Sequence, residues 1–195
     1  MGNGDLTKGV NTFAPTTGQP GHINKSWKFG YSTSSSMTAA ATPVTTAFTF
    51  EGWFIFGPGG AGITQKTIWG NTSTDNILVW VGTDSQPNLQ AQVGAVLSAG
   101  FAPTDGLFHH LVITASGVNV ALYLDNVSKA SGAGGKATYS LSGTNYFAYD
   151  TRYGVNTSGL GYFDEIAIYN TALSPTRVAA HYNAKNSFKG WGIQL

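Results

Sequence analysis

The chain has no cysteine, which excludes disulfides, thiolate metal sites and cysteine nucleophiles. Charge is also scarce. Only 10% of the 195 residues are Asp, Glu, Lys or Arg, against roughly 25% in an average globular domain. Glutamate occurs twice, as Glu51 and Glu165, and arginine twice, as Arg152 and Arg177. Ten basic and nine acidic side chains leave a net charge of +1 and no basic patch. Arginine is the usual carrier of specific base contacts, so nucleic acid is not an expected partner. No apolar run reaches the ~18 residues that a membrane span needs, so no insertion is expected. The opening MGNGDLTKGV lacks an apolar core, so no secretory signal is expected from it.

Glycine (26 residues) and aromatic side chains (13%) are abundant instead. Together with few charges, they suit a sheet-rich protein with many tight turns. Hydrophobic alternation is strand-like almost throughout. In FTFEGWFIF (48–56), Phe48, Phe50, Phe54 and Phe56 share one face with Gly52. Thr49, Glu51, Trp53 and Ile55 share the other, and Glu51 marks that face as the one nearer solvent. Further strands are expected at 66–69, 76–81, 89–93, 107–114, 118–124, 127–130, 138–141, 146–149 and 161–169. Asp125-Asn126 reads as a two-residue type I′ turn, since both residues tolerate positive φ. Ser174-Pro175 supplies an N-cap followed by proline at the first helical position. A helix over 175–184 follows, with Val178 and Tyr182 one turn apart and suited to a sheet edge. The stretch 30–43 reads as a loop with at most one short strand. No period of 20–50 residues recurs, which argues against a propeller or solenoid. One domain is expected over 1–195, with its core over about 20–185 and a tail at 186–195.

Three segments then fall in a familiar order. FTFEGWFIF is similar to the "F-T-x-x-x-W" strand of laminin-G-like domains of the concanavalin A-like lectin/glucanase superfamily. FHHLVITASGVNVALYLDNV (108–127) resembles that family's "W-H-H-x-x-x-T" hairpin and "Y-x-D-G" turn, with Phe108 in place of Trp and Asn126 in place of Gly. GYFDEIAIYNTALSPTRVAAHYNA (161–184) resembles the closing "D-E-x-x-I-Y-N-x-A-L-S" strand and its helix. The resemblance implies an all-β, two-sheet antiparallel jelly roll with one short C-terminal helix. Family members bind glycans, proteins, steroids and lipids, so the fold leaves the ligand open.

Catalysis is not expected. Glucanases of this superfamily carry E-x-D-x-x-E on one strand, and neither glutamate here has an Asp two residues on. Asp164 and Glu165 are adjacent on a predicted strand, so they point to opposite faces and cannot easily flank one glycosidic bond. By the same alternation, Asp164 is grouped with Ile166 and Ile168, and Glu165 with Phe163, Ala167 and Tyr169. No G-x-S-x-G elbow occurs. His109 and His110 also part on a strand and read as fold residues.

The resemblance implies calcium as a candidate cofactor, held by Asp164 and, if the N-terminus pairs beside the last strand, by Asp5. Asp150 and Asn156 form a second oxygen-rich option, since Ca²⁺ takes six to eight oxygens. Two rims are candidate glycan sites: Trp69, Asn71 and Asp75 in one, and Asp150, Arg152, Tyr153 and Asn156 in the other. A recognition module without a visible export signal or cysteine fits a bacteriophage virion protein that decorates capsid or tail. Its expected partners are other virion proteins, copies of itself and host-surface glycans. The alternatives are a carbohydrate-binding module of a secreted enzyme or adhesin, located outside the cell, and a purely structural virion subunit.

Overall fold

The structure, a computed structural model, describes residues 7–8, 16–20, 25–29, 37–39, 45–56, 65–72, 77–82, 87–133, 136–148 and 161–185. In chain order the strands are β1 (Thr7–Lys8), β2 (Thr16–Pro20), β3 (Lys25–Phe29), β4 (Met37–Ala39), β5 (Ala47–Phe56), β6 (Gln65–Asn71) and β7 (Ile77–Gly82). They continue as β8 (Asn88–Val93), β9 (Ala95–Ser98), β10 (His109–Ser116), β11 (Asn119–Leu124), β12 (Val127–Ala133), β13 (Asn145–Phe147) and β14 (Gly161–Tyr169). One helix, α1 (Pro175–Ala184), follows. Among the described residues the strands form two seven-stranded sheets, ordered β1-β4-β13-β6-β7-β8-β9 and β12-β11-β10-β5-β14-β3-β2. Every neighbouring pair is antiparallel. The fold is thus the expected two-sheet jelly roll. Among the described residues no helix is long and apolar enough to cross a membrane.

The Phe face of β5 makes the core. Phe48, Phe50 and Phe54 are fully buried, and the Phe50 ring stacks on Trp69 of the opposite sheet with centroids 4.6 Å apart. Each such ring contributes about 2 kcal/mol through area removed from water. Leu111 and Ile113 of β10, Leu122 and Leu124 of β11, and Val79 and Leu89 from the facing sheet complete this layer. Gly52 is needed here, because a Cβ would stand 2.7 Å from the Phe54 ring and 3.4 Å from the Asp164 carbonyl oxygen.

The other face of β5 is not the solvent face that Glu51 suggested. Glu51 is only 6% exposed, and Thr49 and Trp53 are buried with it. Helix α1 covers them. Ser174 caps it by accepting the Arg177 N–H at 3.3 Å, and Thr49 Oγ1 accepts the Leu173 N–H at 2.9 Å. The helix therefore lies on the middle of the sheet, over β5, rather than on an edge. Residues 138–141 form no strand; Tyr139 makes a single bridge to Thr45. β9 was not expected, nor were β1 and β2.

A bulge changes the facing of β14. Asp164 pairs with Trp53 but Ala167 pairs with Glu51, so β14 carries one extra residue. Glu165 takes it up at φ 49°. Alternation resumes out of phase. Phe163, Ile166 and Ile168 pack toward the core, while Asp164, Ala167 and Tyr169 share the helix-covered face through their pairing with Trp53, Glu51 and Thr49. The expected grouping of Asp164 with Ile166 and Ile168 is corrected by this insertion.

Candidate functional site: a groove at the sandwich rim

At the start of β10 the chain opens a groove of about 490 Å³, lined by Phe101, Pro103, Asp105, His109, Asp125 and Lys129 among others. That volume suits a small ligand. Three segments build it. The 99–108 connection brings Phe101, whose ring is 48% exposed, and is tied to neighbouring chain by the Ala99 N–H to Leu89 O (2.9 Å) and the Ala102 N–H to Pro87 O (2.8 Å). The β11–β12 turn brings Asp125, with Asp125 and Asn126 at φ 52° and 64° as type I′ geometry requires. β12 brings Lys129. Leu122 pairs with Ala130 and Tyr123 with Ser128, so Lys129 is the extra residue of a bulge. Its ammonium lies 5.2 Å from the Phe101 ring centroid.

His109 joins the two carboxylates. Its Nδ1 lies 2.6 Å from Asp125 Oδ2 and its Nε2 lies 2.9 Å from Asp105 Oδ1. Burial alone would lower the His109 pKa, but the bonds to Asp125 and Asp105 outweigh it and hold the ring above its usual value. The bond to His109 likewise holds Asp105 below the usual carboxylate range, helped by the Leu107 N–H. Asp125 Oδ1 accepts the His110 N–H at 3.0 Å, and the Asp125 N–H donates to His110 O at 2.9 Å.

On the opposite face of β10 a second polar group is sealed under α1. Glu51 accepts the Tyr169 O–H at 2.6 Å, and His181 Nδ1 lies 3.0 and 3.1 Å from its two oxygens. His110 Nε2 is 3.7 Å away. Burial would raise the Glu51 pKa, but His110, Tyr169 and His181 together bring it below the usual value. Burial, and the bond to Glu51, hold the Tyr169 phenol protonated well above its ordinary range. The His110 ring stacks on Trp53 at 4.8 Å, and Trp53 stacks on Tyr182 of the helix at 5.8 Å. Nothing of Glu51 is presented to a sugar.

Of the residues expected to bind ligands, the described ones are Trp69, Asn71 and Asp164. Trp69 and Asn71 are strand residues of β6 and wholly buried, not rim residues. The bulge at Ile68, between the Thr67–Trp80 and Trp69–Val79 pairs, turns Trp69 inward. Asn145 Oδ1 accepts both the Trp69 Nε1–H (3.1 Å) and the Asn71 amide (2.8 Å). This is an internal polar staple between β6 and β13. Asp75, Asp150, Arg152, Tyr153, Asn156 and Asp5 lie outside the described residues. Asp164 is buried in the other sheet, with Oδ1 accepting the Glu165 N–H at 3.0 Å. Partial burial, then the Asp164 charge, raises the Glu165 pKa. Among the described residues no group of three or more His, Asp or Glu is arranged to hold a metal.

With fold and site in place, the chain can be classified: it belongs to the concanavalin A-like lectin/glucanases superfamily, whose laminin-G-type pattern matches residues 29–179. No curated protein is similar to it in sequence. Among solved structures it is similar to the binding domain of Paraclostridial mosquitocidal protein 1 (TM-score 0.73, 13% identity, 93% of this chain and 48% of that one). It also resembles a putative carbohydrate binding protein from Bacteroides ovatus (TM-score 0.66, 15% identity, 82% and 47%). A third is domain 4 of an extracellular arabinanase from Geobacillus stearothermophilus, in complex with arabinotriose (TM-score 0.58, 17% identity, 91% and 81%). At these identities the likeness is one of fold. The chain spans about half the length of the first two.

Proposed function

We propose that the chain is a non-catalytic carbohydrate-recognition module and that the Phe101 groove is its contact surface. One observation carries this reading: a half-exposed aromatic ring stands beside two carboxylates and an ammonium in a groove of ligand size. A sugar ring has an apolar C–H face to lie on an aromatic ring and hydroxyls to donate to carboxylates, and pockets that combine a few polar groups with apolar walls suit it. Similarity to an arabinanase domain in complex with arabinotriose, and to a putative carbohydrate binding protein, supports the class of ligand. A non-catalytic role fits the carboxylates described: Glu51 is covered by α1, and Asp105 and Asp125 are engaged by His109.

The arabinanase domain is part of a larger extracellular enzyme. That favours a module of a secreted enzyme or adhesin over the second reading, a virion decoration protein. Association with purified phage particles would reverse this preference. The binding test is a glycan array followed by calorimetry with arabinotriose, each run with Ca²⁺ and with a chelator. The chelator arm also tests calcium held by Asp164 and Asp5. Phe101→Ala is expected to abolish binding while leaving the melting temperature in place. No bound sugar, or binding indifferent to Phe101→Ala, would overturn the assignment of this groove.

A further inference from the structure

We propose that His109 lines the groove as an imidazolium that bridges both carboxylates and holds Asp105 in place for the sugar, so that affinity falls once the ring gives up its second proton. The inference rests on the glycan reading above. Its physical basis is a count of hydrogens. A neutral imidazole has one N–H and one lone pair. Here each ring nitrogen faces a carboxylate oxygen, at 2.6 and 2.9 Å. With one proton on the ring, one of these contacts would set lone pair against lone pair. With two protons, both become charge-assisted hydrogen bonds.

The two carboxylates are not held equally by the rest of the chain. Asp125 is pinned by main-chain bonds to His110 in both directions. Asp105 is half-exposed and has, besides His109, the Leu107 N–H at 2.9 Å. Loss of the second proton therefore releases Asp105, on the longer of the two contacts. Asp105 sits four residues after Phe101 on the same connection, so its release loosens the wall that carries the aromatic ring. The other groups around His109 do not compete for this proton. β5 presents the Phe56 ring, 6.3 Å centroid to centroid, and β12 presents Lys129, a cation that cannot accept a hydrogen bond. Partial burial opposes charging the ring and the two carboxylates favour it, with the net shift upward.

The test uses the whole chain. Long-range ¹H–¹⁵N NMR without sugar is expected to show both His109 nitrogens protonated at about pH 6, and a titration midpoint above the ordinary histidine value of about 6.5. Calorimetry with arabinotriose from about pH 5 to about pH 9 is expected to show affinity falling about tenfold across that midpoint. Asp105→Asn is expected to lower the midpoint and flatten the affinity profile, and His109→Gln to flatten it also. A singly protonated ring at about pH 6 overturns the proposal, whatever the sugar does. A flat wild-type affinity profile across a high midpoint overturns it too, while leaving the glycan reading intact. Absence of sugar binding at every pH overturns the glycan reading, and with it the claim about uptake.

Discussion

His109 and His110 are neighbours on β10 and meet opposite fates. Both approach carboxylates. His110 turns to the helix side, 2% exposed, where Glu51, Trp53 and Tyr182 stand against it. His109 turns to the rim, where Asp105 and Asp125 hold it at the mouth of a groove. The same chemistry serves stability on one face and is available to a ligand on the other. What separates them is the covering element: α1 lies over one and open groove over the other. A histidine beside an acid is thus a candidate site only when something outside the protein can reach it.

The contrast can be broken from either side. Glu51→Ala should have the largest effect, a loss of about 3–5 kcal/mol in urea unfolding, because its buried partners on β14 and α1 lose their acceptor. Glu51→Gln, which keeps an acceptor oxygen for Tyr169, should lose less. Ser174→Ala should cost about 1 kcal/mol by uncapping the helix that seals this face. Smaller still is a pH slope from the rim. The raised His109 pKa contributes stability that is fully present below about pH 6.5 and lost as pH rises through its folded value. The lowered Asp105 pKa contributes stability that is present above about pH 4 and lost as pH falls through its folded value. Unfolding curves of wild type and His109→Gln should therefore converge at alkaline pH. Phe101→Ala should change stability by less than about 0.5 kcal/mol, since the ring is half in solvent. A large destabilisation there would show that Phe101 belongs to the core and not to a binding surface.

Where a feature depends on neighbours in the chain, the sequence displays it. β5 alternates over its whole length, Asp125-Asn126 makes its own turn, and Ser174-Pro175 starts its own helix. The Phe face of β5 is legible as core in the sequence, whereas the burial of the Glu51 face is not, because α1 arrives from more than 120 residues away to cover it. The β14 bulge hides in an apolar run that alternates on paper, so Asp164 and Ile168 read as one face when they are not. The groove residues belong to neither set of residues expected to bind sugar. Phe101 and Asp105 sit in FAPTDGLFHH, which has no period to betray them. Yet one signal was present. The hairpin register that pairs Leu111 with Leu124 sets Asp125 opposite His110, and Asp105 precedes His109 by four residues. Trp69 was misplaced because a strand-end tryptophan looks alike at a rim and in a core until the Ile68 bulge decides.

The bulge at Lys129 has a further consequence. Among the described residues β9 and β12 are edge strands of their two sheets, and they run close enough that Gly132 faces Leu97. Such edges invite another chain to add a strand and grow a fibre, and natural sheets resist this with bulges and lysines. Here a single inserted residue is both. A kink and a cation on β12 are two features that oppose strand addition, and Lys129 supplies both. Deleting it would straighten the strand and leave the exposed Val96 and Val127 beside two regular edges, a change that light scattering would read as growth in particle size if the edge then adds strands.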